Sequence, residues 1–117
     1  MLSHKSYFPA KNGVEFTKWS KKENRVYMYD YVNTEYNIAI EFHGDHWHAN
    51  PRMYNPTDTL KVRKHLSETT ATEVWKRDKK KQQCIEELGF SYIVIWEYDW
   101  LNDKFGVIER LKNEFKF

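Results

Sequence analysis

Two stretches near the middle of the chain carry the apolar patterns of paired β-strands. Residues 25–32 (RVYMYDYV) are β-branched and aromatic, and residues 37–43 (NIAIEFH) alternate between apolar and polar positions. Both patterns are typical of strands, and the NTEY segment between them has turn-forming residues. These residues therefore predict a β-hairpin. Residues 13–19 (GVEFTKW) are a candidate for a further strand.

A loop and a long helix are predicted next. Residues 44–58 hold two of the three prolines and are expected to be a loop. A helix is predicted from about Ala71 to Leu88, because Gly89 follows at the C′ position that favours glycine. The inward stripe of this helix, at a period of 3.6 residues, comprises Val74, Asp78, Lys81, Ile85 and Leu88.

The last part of the chain predicts one more strand and one more helix. Residues 90–98 (FSYIVIWEY) form a nearly continuous apolar run, which predicts a strand buried on both faces. Asn102 or Asp103 is expected to cap a final amphipathic helix. Its apolar side is predicted to comprise Phe105, Ile108, Leu111 and Phe115.

The element order predicts an α/β fold with a small mixed β-sheet and flanking helices. A chain of 117 residues is expected to form a single domain, 1–117, with residues 1–12 as an irregular lead-in. No apolar run approaches the roughly 18 residues of a membrane span, and the N-terminus lacks a signal-peptide pattern. A single cysteine, Cys84, excludes an internal disulfide and a Cys-rich zinc module, so we expect an intracellular protein.

The net charge of +2 is small, but five cations surround one aspartate at residues 76–81 (KRDKKK). One interpretation is a solvated helix face. The other is a surface that neutralises the phosphates of a nucleic acid.

The predicted hairpin brings two carboxylates together. Glu41 and His43 share one face of the second strand, and the turn length places Asp30 at or next to the position opposite Glu41. Directly opposed side chains in a hairpin have Cβ atoms about 4.5–5.5 Å apart. Two carboxylates at that distance repel unless a cation lies between them, and hard divalent cations prefer oxygen ligands.

Asp78 is predicted to point toward the sheet, because it lies on the inward stripe of the helix. The alternative is a surface ion pair or hydrogen bond with Lys81 or Gln82.

A cluster of histidines follows the second hairpin strand. The segment HGDHWH has the order H-x-D-H-x-H, which differs from the H-x-H-x-D-H of dinuclear metallo-β-lactamase-type zinc hydrolases. A chain of 117 residues is also too short for that fold. An HNH nuclease is disfavoured by the missing Gly-rich turn. The cluster comprises His43, His46 and His48 around Asp45.

These residues resemble a known nuclease family. Asp30, Glu41 and His43 give D-x10-E-x-H, which resembles the PD-(D/E)XK nuclease core with His in place of Lys. HGDHWH at 43–48 and RDKKKQQCIEELGFSYIVIWE at 77–97 are similar to segments of the very-short-patch-repair (Vsr) endonucleases and of the related EDxHD phage homing endonucleases. The resemblance covers roughly residues 25–98 and implies a restriction-endonuclease-like core.

The resemblance also implies roles for individual residues. Asp30, the backbone carbonyl of Phe42 and Glu41 would bind Mg²⁺, with Mn²⁺ as a substitute. His43 and His48 would lie beside the scissile phosphate, as general base or as contacts to the leaving group or the phosphate. Asp78 matches an active-site aspartate of the family helix.

Further positions match the family in part. His46 and Trp47 occupy the positions of an aromatic pair that wedges into DNA in the repair enzyme, and only Trp47 keeps a convincing wedge. The family has an upstream acid, for which Glu15 is the best candidate. The zinc ligands of the repair enzyme are absent, so a phage-type domain fits better than a repair enzyme.

The sequence thus predicts a Mg²⁺-dependent DNA endonuclease domain that acts on double-stranded DNA in a bacterial cytoplasm, with a phage origin plausible. A homodimer, or a separate recognition domain in a longer chain, would supply target recognition. The alternative is a non-catalytic nucleic-acid-binding domain with the same fold. In either case the residues expected to track the DNA backbone are Lys76, Arg77, Lys79 and Lys80.

Overall fold

A computed structural model of the chain describes residues 6–7, 16–20, 25–60 and 69–115. The strands in these ranges are β1 (Ser6–Tyr7), β2 (Phe16–Ser20), β3 (Arg25–Tyr29), β4 (Tyr31–Asn33), β5 (Ile38–His43), β6 (Thr59–Leu60), β7 (Thr69–Thr70) and β8 (Ser91–Trp96). The helices are α1 (Ala71–Glu86), α2 (Glu97–Asn102) and α3 (Lys104–Phe115). The predicted α/β class, with a small mixed sheet and flanking helices, is confirmed. The finer restriction-endonuclease-like core stays a prediction.

The described residues fall into two compact units. The first unit contains the described residues up to Phe42 together with Lys80–Val94. The second contains the described residues of His43–Lys79 together with those from Ile95 onward. None of the described helices has the length and apolar character needed to cross a membrane.

The main sheet has the strand order β1-β4-β5-β8 and is built on the predicted hairpin. β4 and β5 pair antiparallel, with Tyr31 opposite Ile40. The turn between them is closed by Asn33, whose Oδ1 accepts the backbone N–H groups of Glu35 and Tyr36, each at 3.0 Å. Such Asx turns are a common use of asparagine, so the hairpin follows from its turn chemistry.

Two strand predictions need correction. The predicted lead-in over residues 1–12 is wrong for Ser6–Tyr7, which pair with β4. Backbone pairing of two residues needs no apolar pattern and leaves no signal in the sequence. The predicted single strand 25–32 bends at Asp30, so that β3 pairs with β2 in a separate two-stranded sheet. The further strand predicted at 13–19 is present as β2.

The core of the first unit includes buried residues of the hairpin. The Tyr29 hydroxyl donates to the backbone carbonyl of Lys81 at 3.0 Å, and burial raises the pKa of this hydroxyl well above its usual range. Cys84, Phe90 and Tyr92 pack against this core. Its buried residues are Tyr27, Tyr29, Val32, Ala39 and Ile85.

The predicted long helix is confirmed as α1, two residues shorter at its C-terminal end. It begins with a capping box, in which Thr70 Oγ1 accepts the N–H of Glu73 and the Glu73 carboxylate accepts the N–H of Thr70. It is followed by Gly89 with φ +92°, as a C′ glycine requires.

The last strand and helices differ from their predictions. In β8 only Ile93 and Ile95, on one face of the strand, are buried. Tyr92 and Trp96, on the other face, are only half-buried. The predicted burial on both faces is therefore wrong. The end of the predicted strand instead begins α2. Asp103 caps α3 as predicted, and its Oδ1 accepts the N–H of Gly106 at 3.0 Å.

The predicted apolar side of α3 is wrong for Phe105 and Ile108, which are exposed. The covered stripe instead begins at Val107 and continues at i+4 and i+8 through Leu111 and Phe115. The sequence pattern cannot distinguish these stripes, since both are apolar at helical spacing. The second unit also has its own core, formed by Ala49, Leu60, Ala71 and Val74 with Tyr54 and Trp75 packed against it.

Candidate active site

The C-terminal half of β5 carries ionisable residues on its buried face. Glu41 is only 3% exposed and His43 only 6%, whereas Phe42 between them is exposed. The face of β5 that carries Glu41 and His43 is therefore covered. Buried ionisable groups must be paired or hydrogen-bonded to be tolerated, so the partners of Glu41 and His43 indicate what this strand does.

The two carboxylates of the hairpin face each other in the first unit, as the turn length predicted. Because Tyr31 pairs with Ile40, Asp30 is opposite Glu41. Asp30 Oδ2 accepts the backbone N–H of Phe42 at 2.8 Å, which fixes the orientation of this exposed carboxylate. The three proposed oxygen donors of the metal site, Asp30, Glu41 and the Phe42 backbone, thus lie next to one another across the hairpin.

Lys81 is the cation beside these carboxylates. Its ammonium group contacts the Glu41 carboxylate and lies 5.0 Å from the centre of the Tyr29 ring. Lys81 was predicted only as a residue of the inward stripe of the helix. The alternative that Lys81 forms a surface pair with Asp78 is wrong, because Glu41 is the partner of Lys81. We call these residues the Asp30–Glu41–Lys81 group.

The pKa of Glu41 reflects the burial of this group. Burial, with a smaller contribution from the hydrogen bond with Asp30, raises the pKa of the Glu41 carboxyl from 4.5 to about 8. The ammonium of Lys81 acts in the opposite direction without cancelling the effect of burial. A carboxyl that holds its proton near neutral pH is unusual and is found most often at functional sites.

The histidines form a second group, in the second unit. His48 Nδ1 lies 2.8 Å from Asp78 Oδ2. Since a carboxylate only accepts hydrogen bonds, Nδ1 carries the proton, and the lone pair of the neutral ring is on Nε2. The His43 ring stacks on that of His48, with centroids 3.8 Å apart and planes 5° from parallel. The Trp96 ring makes an edge contact with the His43 ring, and the two ring centroids are 5.0 Å apart.

This His43–His48–Asp78 group places three ligand atoms within 4.8 Å of one another, close enough to consider a metal ion. The stacking argues against a three-ligand chelate in this arrangement. An imidazole lone pair lies in its ring plane, and a metal binds about 2.0–2.1 Å away in that plane. Two parallel rings cannot both direct lone pairs at one ion, so one ring would have to rotate. The group is better arranged for proton transfer.

The loop that carries His48 is held by partly buried polar contacts that the sequence did not reveal. Asp45 Oδ1 accepts from Asn50 Nδ2 at 2.8 Å and from the N–H of Tyr98 at 3.2 Å. Ala49 has φ +50°, a strained conformation for a residue other than glycine, and its carbonyl accepts Trp75 Nε1 at 2.7 Å. These bonds fix the backbone on the C-terminal side of His48.

The tip of the same loop is exposed and aromatic. Trp47 is 55% exposed. His46 is also exposed. The centroid of its ring lies 5.4 Å from that of Trp47, and its Nδ1 lies 3.3 Å from the Tyr54 hydroxyl. The tip is therefore available for contact with a ligand.

Four basic residues of α1 are exposed, whereas Asp78 among them is half-buried. This agrees with the prediction that Asp78 lies on the inward side of the helix. Glu15, the candidate upstream acid, lies outside the described residues. The exposed cations are Lys76, Arg77, Lys79 and Lys80.

Comparison of the chain with protein-family models, with curated proteins and with solved structures found no match. The resemblance to Vsr-like nucleases therefore stays a prediction. The function has to follow from the chemistry of the two side-chain groups.

Proposed function

We propose that this chain is a divalent-metal-dependent DNA endonuclease domain that hydrolyses phosphodiester bonds, of the Vsr-like kind that its sequence resembles. The observation that carries the proposal is the hydrogen bond between His48 and Asp78, with His43 stacked on the same imidazole. A histidine oriented by a carboxylate is a common general base, because the carboxylate fixes the tautomer and stabilises the imidazolium.

The proposed proton transfers follow from this geometry. Nε2 of His48 accepts a proton from the attacking water as its oxygen bonds to phosphorus. Asp78 stabilises the imidazolium that results. As the bond from phosphorus to the leaving oxygen breaks, His43 donates a proton to that oxygen or hydrogen-bonds the phosphate. Near neutral pH, imidazole can act as both acid and base, which a lysine in this position cannot do without a large change in its pKa.

The residues of the first unit fit a hard cation. Carboxylate and carbonyl oxygens are the ligands that Mg²⁺ prefers, and Mn²⁺ accepts the same donors. Asp30, whose carboxylate is exposed and oriented by its bond to the Phe42 N–H, would hold such an ion together with the Phe42 carbonyl. A divalent cation bound there would offset the negative charge of a phosphate that contacts the first unit.

Two exposed features support DNA as the substrate. The four exposed cations of α1 can neutralise phosphates, and the exposed Trp47 can stack on a base. The same features would serve a non-catalytic nucleic-acid-binding domain, which is therefore the second candidate. The two candidates differ in whether the His43–His48–Asp78 group acts on the bound strand.

Nicking of a supercoiled plasmid distinguishes them. We expect cleavage with Mg²⁺ or Mn²⁺, none with EDTA, and a large loss of rate in Asp78→Asn and His48→Ala. Glu87→Gln, an exposed carboxylate beyond the end of α1, is the matched control and should keep the wild-type rate. Fluorescence anisotropy with labelled duplex DNA measures binding in parallel. Binding without any cleavage would favour the non-catalytic domain, and absence of both would refute both candidates.

A further inference from the structure

We propose that the ammonium of Lys81 takes the place of a second cation beside Asp30 and Glu41, so that the chain binds one divalent ion there and binds two only when Lys81 is removed. This inference rests on the proposed metal chemistry of the same carboxylates. It goes beyond that chemistry because it states how many ions bind and explains that number by the charge of one side chain, Lys81.

Lys81 is held unlike its neighbours on the helix. Its side chain is 25% exposed, and its ammonium contacts both the Glu41 carboxylate and the face of the Tyr29 ring. The hydroxyl of the same tyrosine donates to the backbone carbonyl of Lys81, which joins the helix to β3 at this point. Lys79 and Lys80, two residues and one residue earlier, are exposed. Lys81 is therefore a fixed internal charge.

When it is ionised, Glu41 requires a cation in this environment. An ionised carboxylate at 3% exposure, opposite a second carboxylate, is strongly unfavourable unless it is paired. The ammonium meets this requirement with one positive charge that cannot diffuse away. A divalent ion at Glu41 would have to displace it or lie beside it, and like charges a few ångströms apart repel.

The two carboxylates thus have different partners available. Asp30 is exposed, and its orientation is set by a backbone N–H, which leaves it able to bind an ion from solution. Glu41 is buried and already paired with Lys81. From the sequence both carboxylates are expected to bind the metal, whereas in the structure the inner one, Glu41, contacts the ammonium.

Counting bound Mn²⁺ by electron paramagnetic resonance and by isothermal titration calorimetry tests the proposal without an activity measurement. Wild type should bind one ion per chain and Lys81→Met two, because methionine keeps the apolar stem against Tyr29 and removes the charge. Mn²⁺ should also raise the melting temperature of Lys81→Met by more than that of wild type, since the ion would replace the missing partner of Glu41.

Three further variants isolate the charge of Lys81. Lys81→Arg keeps a cation and should bind one ion. Lys79→Met makes the same substitution at an exposed position and should also bind one. The double variant Lys81→Met/Glu41→Gln removes both charges, so it should bind one ion and melt above Lys81→Met in the absence of metal.

Two ions on the wild type, no ion on the wild type, or one ion on a folded Lys81→Met would each overturn the proposal. If Lys81→Met stays unfolded even with Mn²⁺ while the double variant folds without it, a metal cannot replace the ammonium, and the proposal is again overturned. The nicking assay reports separately on the proposed function. A chain that binds ions in these numbers but cuts no DNA would refute the nuclease and leave this inference in place.

Discussion

Replacing Glu41 with glutamine should stabilise the folded chain, and more so at higher pH. Glutamine has the shape of a protonated glutamate, keeps hydrogen-bonding atoms at the same positions and carries no charge to bury. Glu41 is buried on β5, where the removal of solvent raises its pKa to about 8 from 4.5. The substitution therefore removes a group that the folded state prefers to keep protonated.

The sign and size follow from linkage. The folded-state pKa lies above the unfolded value, so the favourable protonated form is fully present below pH 4.5 and is lost as the pH rises toward 8. Each pH unit between the two values corresponds to about 1.4 kcal/mol. Between pH 5 and pH 7 the wild type should lose roughly 2–3 kcal/mol of unfolding free energy relative to Glu41→Gln. The loss continues more slowly to pH 8 and levels off above it.

Urea unfolding followed by circular dichroism, at pH 5, 6, 7 and 8 in metal-free buffer with EDTA, measures this difference. Glu87→Gln, at an exposed position, should follow the wild type at each pH. Parallel curves for wild type and Glu41→Gln would show that Glu41 does not titrate in this range. A wild type that gains stability over the variant as the pH rises would show that the ion pair with Lys81 outweighs burial, and the reasoning would be refuted.

Three further variants test the loop and the helix. Trp75→Phe removes the indole N–H that bonds the Ala49 carbonyl and should cost about 1 kcal/mol in urea unfolding; it should also lower the nicking rate at unchanged DNA affinity, and an unchanged rate would mean that this bond does not position His48. Trp47→Ala should weaken DNA binding in anisotropy while leaving the melting temperature within a degree or two, since the side chain is exposed; a large fall in melting temperature would make Trp47 a core residue. Replacing three exposed lysines of α1 with alanine should weaken DNA binding and flatten its dependence on salt, and an unchanged slope would mean that this face is only solvated. The triple variant comprises Lys76, Lys79 and Lys80.

The parts of the fold that the sequence predicted are those set by local interactions. The hairpin follows from its turn residues, and the turn length places Asp30 opposite Glu41. α1 follows from its periodicity and from Gly89 at its end. The same periodicity places Asp78 on the inward side of α1, where it bonds His48. In each case the information lies within a few residues of the element concerned.

The partners of these residues could not be predicted, because they are far apart in the chain. A helical stripe indicates which side of α1 faces inward and does not indicate what each residue meets there. Lys81 and Glu41 are separated by 40 positions, and the indole of Trp75 reaches the Ala49 carbonyl across 26. Strand alternation has the same limit. It places Glu41 and His43 on one face of β5 and does not indicate that this face is covered.

The inward side of α1 shows why these long-range pairs bear on function. Its stripe places two charged residues, Asp78 and Lys81, between the apolar residues Val74 and Ile85. Apolar residues of similar size at the charged positions would pack without desolvating any charge, and replacing a buried ion pair in that way is often neutral or stabilising. Each charge instead meets an ionisable residue of its own unit, a histidine for Asp78 and a glutamate for Lys81. Departures from the pattern that would best stabilise a fold are expected where chemistry needs them. The two charged positions of this stripe are therefore where substitutions should separate activity from stability.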